Sequence, residues 1–130
     1  MHGAERHQHR ARLCHLRIQN VEDGYGFNMQ AQRVHSGHFV AGVVAGSPAD
    51  VGGLHDGDRI VEVNGDNVEQ AAHREVADKI KAISGEVTLL VVDPDADKFF
   101  AEKNIVIVGS MDGVQEITCP ESEAAPLIGR

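Results

Sequence analysis

The run Val87-Thr88-Leu89-Leu90-Val91-Val92, set between Gly85 and Pro94, constrains the fold more than any other segment. It is short, rich in β-branched residues, and closed by a proline that cannot continue a hydrogen-bonded ladder. It reads as a central strand, so the chain must supply partners for it. Leu13, Leu16 and Ile18, with Cys14 among them, mark a first strand. Phe27-Asn28-Met29-Gln30-Ala31 alternates apolar and polar residues, as a half-buried strand does. Phe39–Val44 and Arg59–Val63 follow, the second closed by the hairpin signal Asn64-Gly65. The segments 20–26 and 32–37 and the pair Asp56-Gly57 are turns.

Two segments depart from this pattern. Ser47-Pro48-Ala49-Asp50 has a capping serine and a proline at the first helical position, and Gly52-Gly53 ends the helix after about one turn. The stretch from Gln70 to Ile83 is the long helix: Ala72, Val76, Ile80 and Ile83 recur at helical spacing as a buried stripe, and Gly85 is the stop. The expected fold is mainly β with two helices: a partly open barrel or sandwich of five to six strands, capped by one short and one long α-helix. With aromatics at only 4% and no Trp, its core is built from Val, Ile, Leu and Ala.

At 130 residues the chain holds one domain plus tails. Residues 1–11 read as a disordered, His-rich arm, and 12–95 as the domain. Residues 96–130 read as an extension: a short helix from Ala96 to Asn104 with Phe99 and Phe100 on one side, a strand Ile105–Val108 that has to be covered, and a tail from 118.

The net charge of −8 argues against nucleic acid or an anionic membrane as partner. Arg6, Arg10 and Arg12 nevertheless make the N-terminal arm locally basic, which leaves a phosphoinositide or membrane-surface module as an alternative. Two cysteines make no disulfide framework, and no targeting signal or membrane-spanning run is visible, so the expected location is the cytoplasm. No Gly-x-Ser-x-Gly elbow, Walker loop or His-Glu-x-x-His motif occurs, and no enzyme activity is expected. Ser47 is accounted for as a cap, and Cys14 as a buried strand residue. His7 and His9 have the spacing to chelate a metal, yet they lack acidic or Cys partners at zinc-site spacing. Asp93, Asp95 and Asp97 begin a calcium-loop spacing that fails at Lys98 and Asn104. Neither metal nor cofactor is expected.

The functional signal is Asp23-Gly24-Tyr25-Gly26-Phe27, a loop with two glycines that feeds into a strand. Read alone it is also a simple hairpin turn; a dinucleotide fingerprint is ruled out, because Met29 stands where the third glycine belongs. Backbone N–H groups of such a loop converge into an anion-binding nest, and a following strand at a sheet edge accepts an added peptide strand. On the long helix, His73, Ala77 and Ile80 share a second face beside the buried stripe, the pattern of a groove wall.

The stretches Gly24-Tyr25-Gly26-Phe27, Gly46-Ser47-Pro48-Ala49-Asp50, Gly57-Asp58-Arg59-Ile60 and Glu62-Val63-Asn64-Gly65 fall in the order of PDZ domains, which the chain resembles over about 12–95. Arg12-Leu13-Cys14, Tyr25-Gly26-Phe27-Asn28 and Leu89-Leu90-Val91-Val92-Asp93-Pro94 resemble in particular the sodium–hydrogen exchanger regulatory factors, the NHERF family of cytoplasmic scaffolds. The resemblance implies capture of C-terminal tails of membrane transporters, channels or receptors at the inner face of the plasma membrane. Gly24, Tyr25, Gly26, Phe27, Asn28, Met29, His73, Ala77 and Ile80 would then form the peptide site. The amides of Gly26 and Phe27 would hold the carboxylate, and Tyr25, Phe27, Met29 and Ile80 the last side chain. His73 would bond a Ser or Thr hydroxyl two residues before the end, so the ligand class is Ser/Thr-x-hydrophobic, with Leu favoured last. That role needs a neutral ring, so binding is expected to weaken below about pH 6. In this family the third strand often carries an Arg, and Ala41 stands there. The loop before Gly24 is longer by about two residues than in the family, and Arg17 or Arg12 is the candidate cation near the carboxylate. Two further alternatives are a regulatory domain of a larger enzyme and a binder of internal peptides.

Overall fold

The computed structural model describes residues 10–18, 24–31, 37–111 and 113–118. Residues 1–9 of the His-rich arm, the loop before Gly24 and the tail beyond Thr118 lie outside the described residues, while Ala11 at the end of the arm is described and buried.

The strands are β1 (Arg12–Arg17), β2 (Asn28–Ala31), β3 (His38–Ala41), β4 (Arg59–Val63), β5 (Asp66–Asn67), β6 (Glu86–Val92) and β7 (Gln115–Thr118). The helices are α1 (Pro48–Val51), α2 (His73–Lys81) and α3 (Pro94–Glu102). All strands belong to one sheet of order β2-β3-β4-β6-β1-β7, with β5 paired to β4. Every pairing is antiparallel except β1 with β7, which is parallel.

The apolar run Val87–Val92 lies in β6, which is central: Cys14 of β1 faces Leu89, and Ile60 of β4 faces Val91. Both of its faces are covered. Val87, Leu89 and Val91 join Cys14, Leu16, Val63, Val76 and Ile80 in the main core, under α1 and α2. Leu90 and Val92 point the other way, into a second core with Val61, Ala96, Phe100 and Ile107. A strand buried on both faces has no polar side to show, hence a continuous apolar run instead of alternation. Within the main core, burial pushes the Cys14 thiol up to about 11, so it stays protonated and unreactive.

The mainly-β architecture agrees with expectation, as do the Ser47 cap and the Asn64-Gly65 hairpin; both hairpin residues have positive φ. Among the described residues there are seven strands instead of five or six, because β5 follows that hairpin and β7 comes from the extension. The extension's helix is present as α3, capped by Asp93, whose carboxylate accepts from the Ala96 N–H at 2.7 Å. Asp97 pairs with Arg59 at 3.1 Å. The aspartates at 93 and 97 are therefore a cap and an ion-pair partner.

Two expectations fail. Ile105–Val108 is not a strand: the Ile105 N–H is still bonded to Phe100 O at 2.9 Å, on the end of α3, and only Ile107 is buried. The segment lies over the outer face of the sheet, away from an open edge, and the edge of β1 is taken further on by β7. The long helix is also shorter than its periodicity predicts. Ala72 is its N-cap residue, not part of the buried stripe, and its N–H is held by the Glu75 carboxylate at 2.9 Å. Ile83 lies beyond the last turn and is 46% exposed, while Val76 and Ile80 are buried.

Candidate functional site

The glycine loop begins the site. Gly24 and Gly26 both have positive φ, +66° and +90°. Gly26 is constrained twice, because a Cβ there would fall on the Ser47 side chain at the head of α1. The loop is tied back through its carbonyls: the Val44 N–H donates to Gly26 O at 2.8 Å, and the Ala49 N–H to Tyr25 O at 2.9 Å. Gly24, Tyr25 and Phe27 line the space on its other side. Burial, and then the charge of Glu86, raise the pKa of the Tyr25 phenol, which remains a neutral hydroxyl.

β2 continues from the loop at the end of the sheet order, paired on one side with β3 (Asn28 with Ala41, Ala31 with His38). Its other side faces α2 and has no strand partner among the described residues. Between them runs a groove of about 700 Å³. Of the nine residues expected at the site, eight line it: Gly24, Tyr25, Phe27, Asn28, Met29, His73, Ala77 and Ile80. Gly26 does not; it shapes the loop from behind. His73 opens α2, so the helix face runs from His73 at one end to Ile80 near the glycine loop.

The described residues add groove walls that the sequence reading did not include. Ile18, Lys81, Ile83, Ser84 and Gly85 close the end beside the loop, where the Ile18 N–H donates to Gly85 O at 2.9 Å. Lys81 extends the His73, Ala77 series by one more turn, and the same spacing rule that found those two reaches it. It is the one Lys or Arg among the described lining residues. The two arginines expected near a carboxylate lie elsewhere. The Arg12 guanidinium is buried, donates to Gly53 O and forms an ion pair with Asp58. Arg17 lies 3.9 Å from Glu86 and does not line the groove. β1 points Arg12 inward because Asp58 is fully buried and needs a counter-charge. Burial raises the Asp58 pKa, while the Arg12 charge and the His55 N–H, which donates at 2.7 Å, pull it down.

A two-glycine loop, a strand edge and a facing helix form one continuous groove, and the sequence around them matches the PDZ domain family model over residues 15–92. The chain belongs to the PDZ family. Among curated proteins it is 46% identical over 97 residues to mouse Na(+)/H(+) exchange regulatory cofactor NHE-RF2, covering 75% of this chain and 28% of that protein. It is 42% identical over 102 residues to the rabbit NHE-RF2, covering 78% and 32%. It is 44% identical over 104 residues to chicken NHE-RF1, covering 80% and 31%. The chain thus spans about a third or less of the length of these relatives. This PDZ domain is of the kind found in those regulatory cofactors. No helix among its described residues is long and apolar enough to cross a membrane.

Proposed function

We propose that this PDZ domain is a non-catalytic scaffold module that captures free C-terminal tails ending Ser/Thr-x-hydrophobic. The observation that carries this reading is the groove itself, with an open β2 edge on one side, His73 and Ala77 on the other, and the glycine loop at one end. The peptide adds as a strand along β2, so its main chain supplies affinity and its alternate side chains supply selectivity. Its carboxylate lies at the amides of Gly26 and Phe27, with Lys81 as the nearby cation. Tyr25, Phe27, Met29 and Ile80 receive the last side chain, and the small Ala77 leaves room for Leu. His73 accepts a hydrogen bond from the Ser or Thr hydroxyl. Tails of membrane transporters, channels and receptors are the partners expected of a domain so similar to exchanger regulatory cofactors, and with such partners it would work in the cytoplasm beneath the plasma membrane.

The test is a screen against a library of peptides with free C-termini. Enrichment of Ser/Thr-x-Leu ends at micromolar affinity, roughly −8 kcal/mol, is expected. Loss of binding when the terminus is amidated separates carboxylate capture from internal-peptide binding. Equal binding of free and amidated peptides refutes the proposal.

A further inference from the structure

His38 is a buried imidazole that the groove reading does not use. It opens β3, is 5% exposed, and shares the α2-facing side of the strand with Val40. Its Nε2 lies 2.8 Å from the Ala71 carbonyl oxygen. A carbonyl only accepts, so Nε2 carries the hydrogen and donates. Its other ring nitrogen, Nδ1, is buried and has no hydrogen-bond partner among the described residues. The His38 ring centroid lies 5.8 Å from that of His73, with the planes tilted by 51°.

These contacts converge on the start of α2. Ala71 precedes the N-cap residue Ala72, which Glu75 holds from inside the helix. His73 is the first helical residue, where N–H groups have no partner within the helix and the turn frays most readily. A hydrogen bond donated by a hydroxyl to the His73 ring tolerates only a few tenths of an ångström of drift. From the sheet, His38 both anchors the carbonyl just ahead of this turn and packs against the ring that does the reading.

We propose that His38 is a positioning residue for ligand selectivity: its Nε2–H bond to Ala71 and its packing on His73 hold the His73 ring where it can read a hydroxyl two residues before the peptide terminus. This rests on the proposed function above. A merely structural His38 would tie β3 to the helix and affect all peptides alike, whereas a positioning residue affects discrimination between them.

The experiment measures two fluorescein-labelled peptides, identical except that one ends Thr-Ala-Leu and the other Val-Ala-Leu, so that a methyl replaces the hydroxyl. In the wild-type domain the Thr peptide should bind about tenfold more tightly, the worth of one ordinary hydrogen bond. H38L fills the space without a donor. It should reduce the preference to about twofold or less, chiefly by weakening the Thr peptide. H38Q keeps an N–H to offer Ala71 and should restore most of the preference. If H38L weakens both peptides equally, or if H38Q loses discrimination as H38L does, the proposal is overturned. H73A isolates the underlying reading: if it leaves the Thr preference intact, His73 does not read the hydroxyl, and both proposals fall. Should H38L not fold, nitrogen NMR of the wild-type imidazoles decides. The Thr peptide should shift both rings well beyond the Val peptide, and a His38 ring indifferent to the two overturns the inference.

Discussion

Replacing Phe100 with alanine tests whether the segment after β6 is an integral part of the fold. Phe100 is 6% exposed and packs in the second core with Val61, Leu90, Val92, Ala96 and Ile107, all of them buried. Three of these, Val61, Leu90 and Val92, belong to the central strands β4 and β6. Truncating a buried Phe ordinarily costs about 3–5 kcal/mol, from the lost transfer of the ring and the cavity left behind. This cluster lies on the outer side of the sheet, where α3 and the segment around Ile107 can partly collapse, so the lower end, about 3 kcal/mol, applies. For a domain of this size that lowers the midpoint of thermal unfolding by roughly 10–15 °C. Far-UV circular dichroism with heat and with urea reads the change, and fluorescence anisotropy reads peptide binding. Affinity should stay within about twofold of wild type, because the groove lies on the opposite face. A shift below about 3 °C, or a separate early transition for the extension, would falsify the claim that α3 completes a core shared with β4 and β6.

The other predictions address the loop and the buried ion pair. G26A, which combines a positive φ with a collision at Ser47, should abolish detectable peptide binding; near-normal affinity would show that the loop conformation is not what builds the nest. R12M should destabilise the domain by about 3–5 kcal/mol at neutral pH, because it leaves the buried Asp58 carboxylate without its counter-charge. Burial already holds the folded pKa of Asp58 above its ordinary 3.8, and losing Arg12 raises it further. A raised folded pKa favours the protonated fold, so the deficit of R12M should be smallest near pH 4 and grow as pH rises through the folded value. Urea titrations at several pH values check this, and a deficit independent of pH would count against Asp58 as its source.

Features written into local pattern were legible in the sequence. The glycine pair, the Ser47-Pro48 helix start, the Asn64-Gly65 hairpin and the spacing of His73, Ala77 and Ile80 each depend on neighbours a few residues away, and the structure has each of them. Features decided by distant contacts were not. Ile105-Val106-Ile107-Val108 has stronger strand propensity than Gln115-Glu116-Ile117-Thr118, yet the second stretch pairs with β1. The first is still held at the end of α3, and the chain must cross the outer face before it reaches an edge. Ile83 keeps helical phase with Ile80, but the turn into Gly85, pinned to Ile18, carries it out of the core and into the groove wall. His38 gave no local signal, since its meaning depends on a carbonyl 33 residues away. Arg12 likewise looked available for a ligand until the buried Asp58, 46 residues on, took it.

The parallel pairing of β1 with β7 has a mechanical consequence. Arg12 faces Gln115 and His15 faces Thr118, so the two strands run side by side in the same direction. A pull applied through residue 10 and residue 118 draws one strand backwards and the other forwards along a common axis. The bonds between them are then loaded together, in shear, instead of opening one after another like a zip. A tether that engages the domain at these two points loads this pair along its strands, and the groove at the far edge of the sheet lies outside the line of tension.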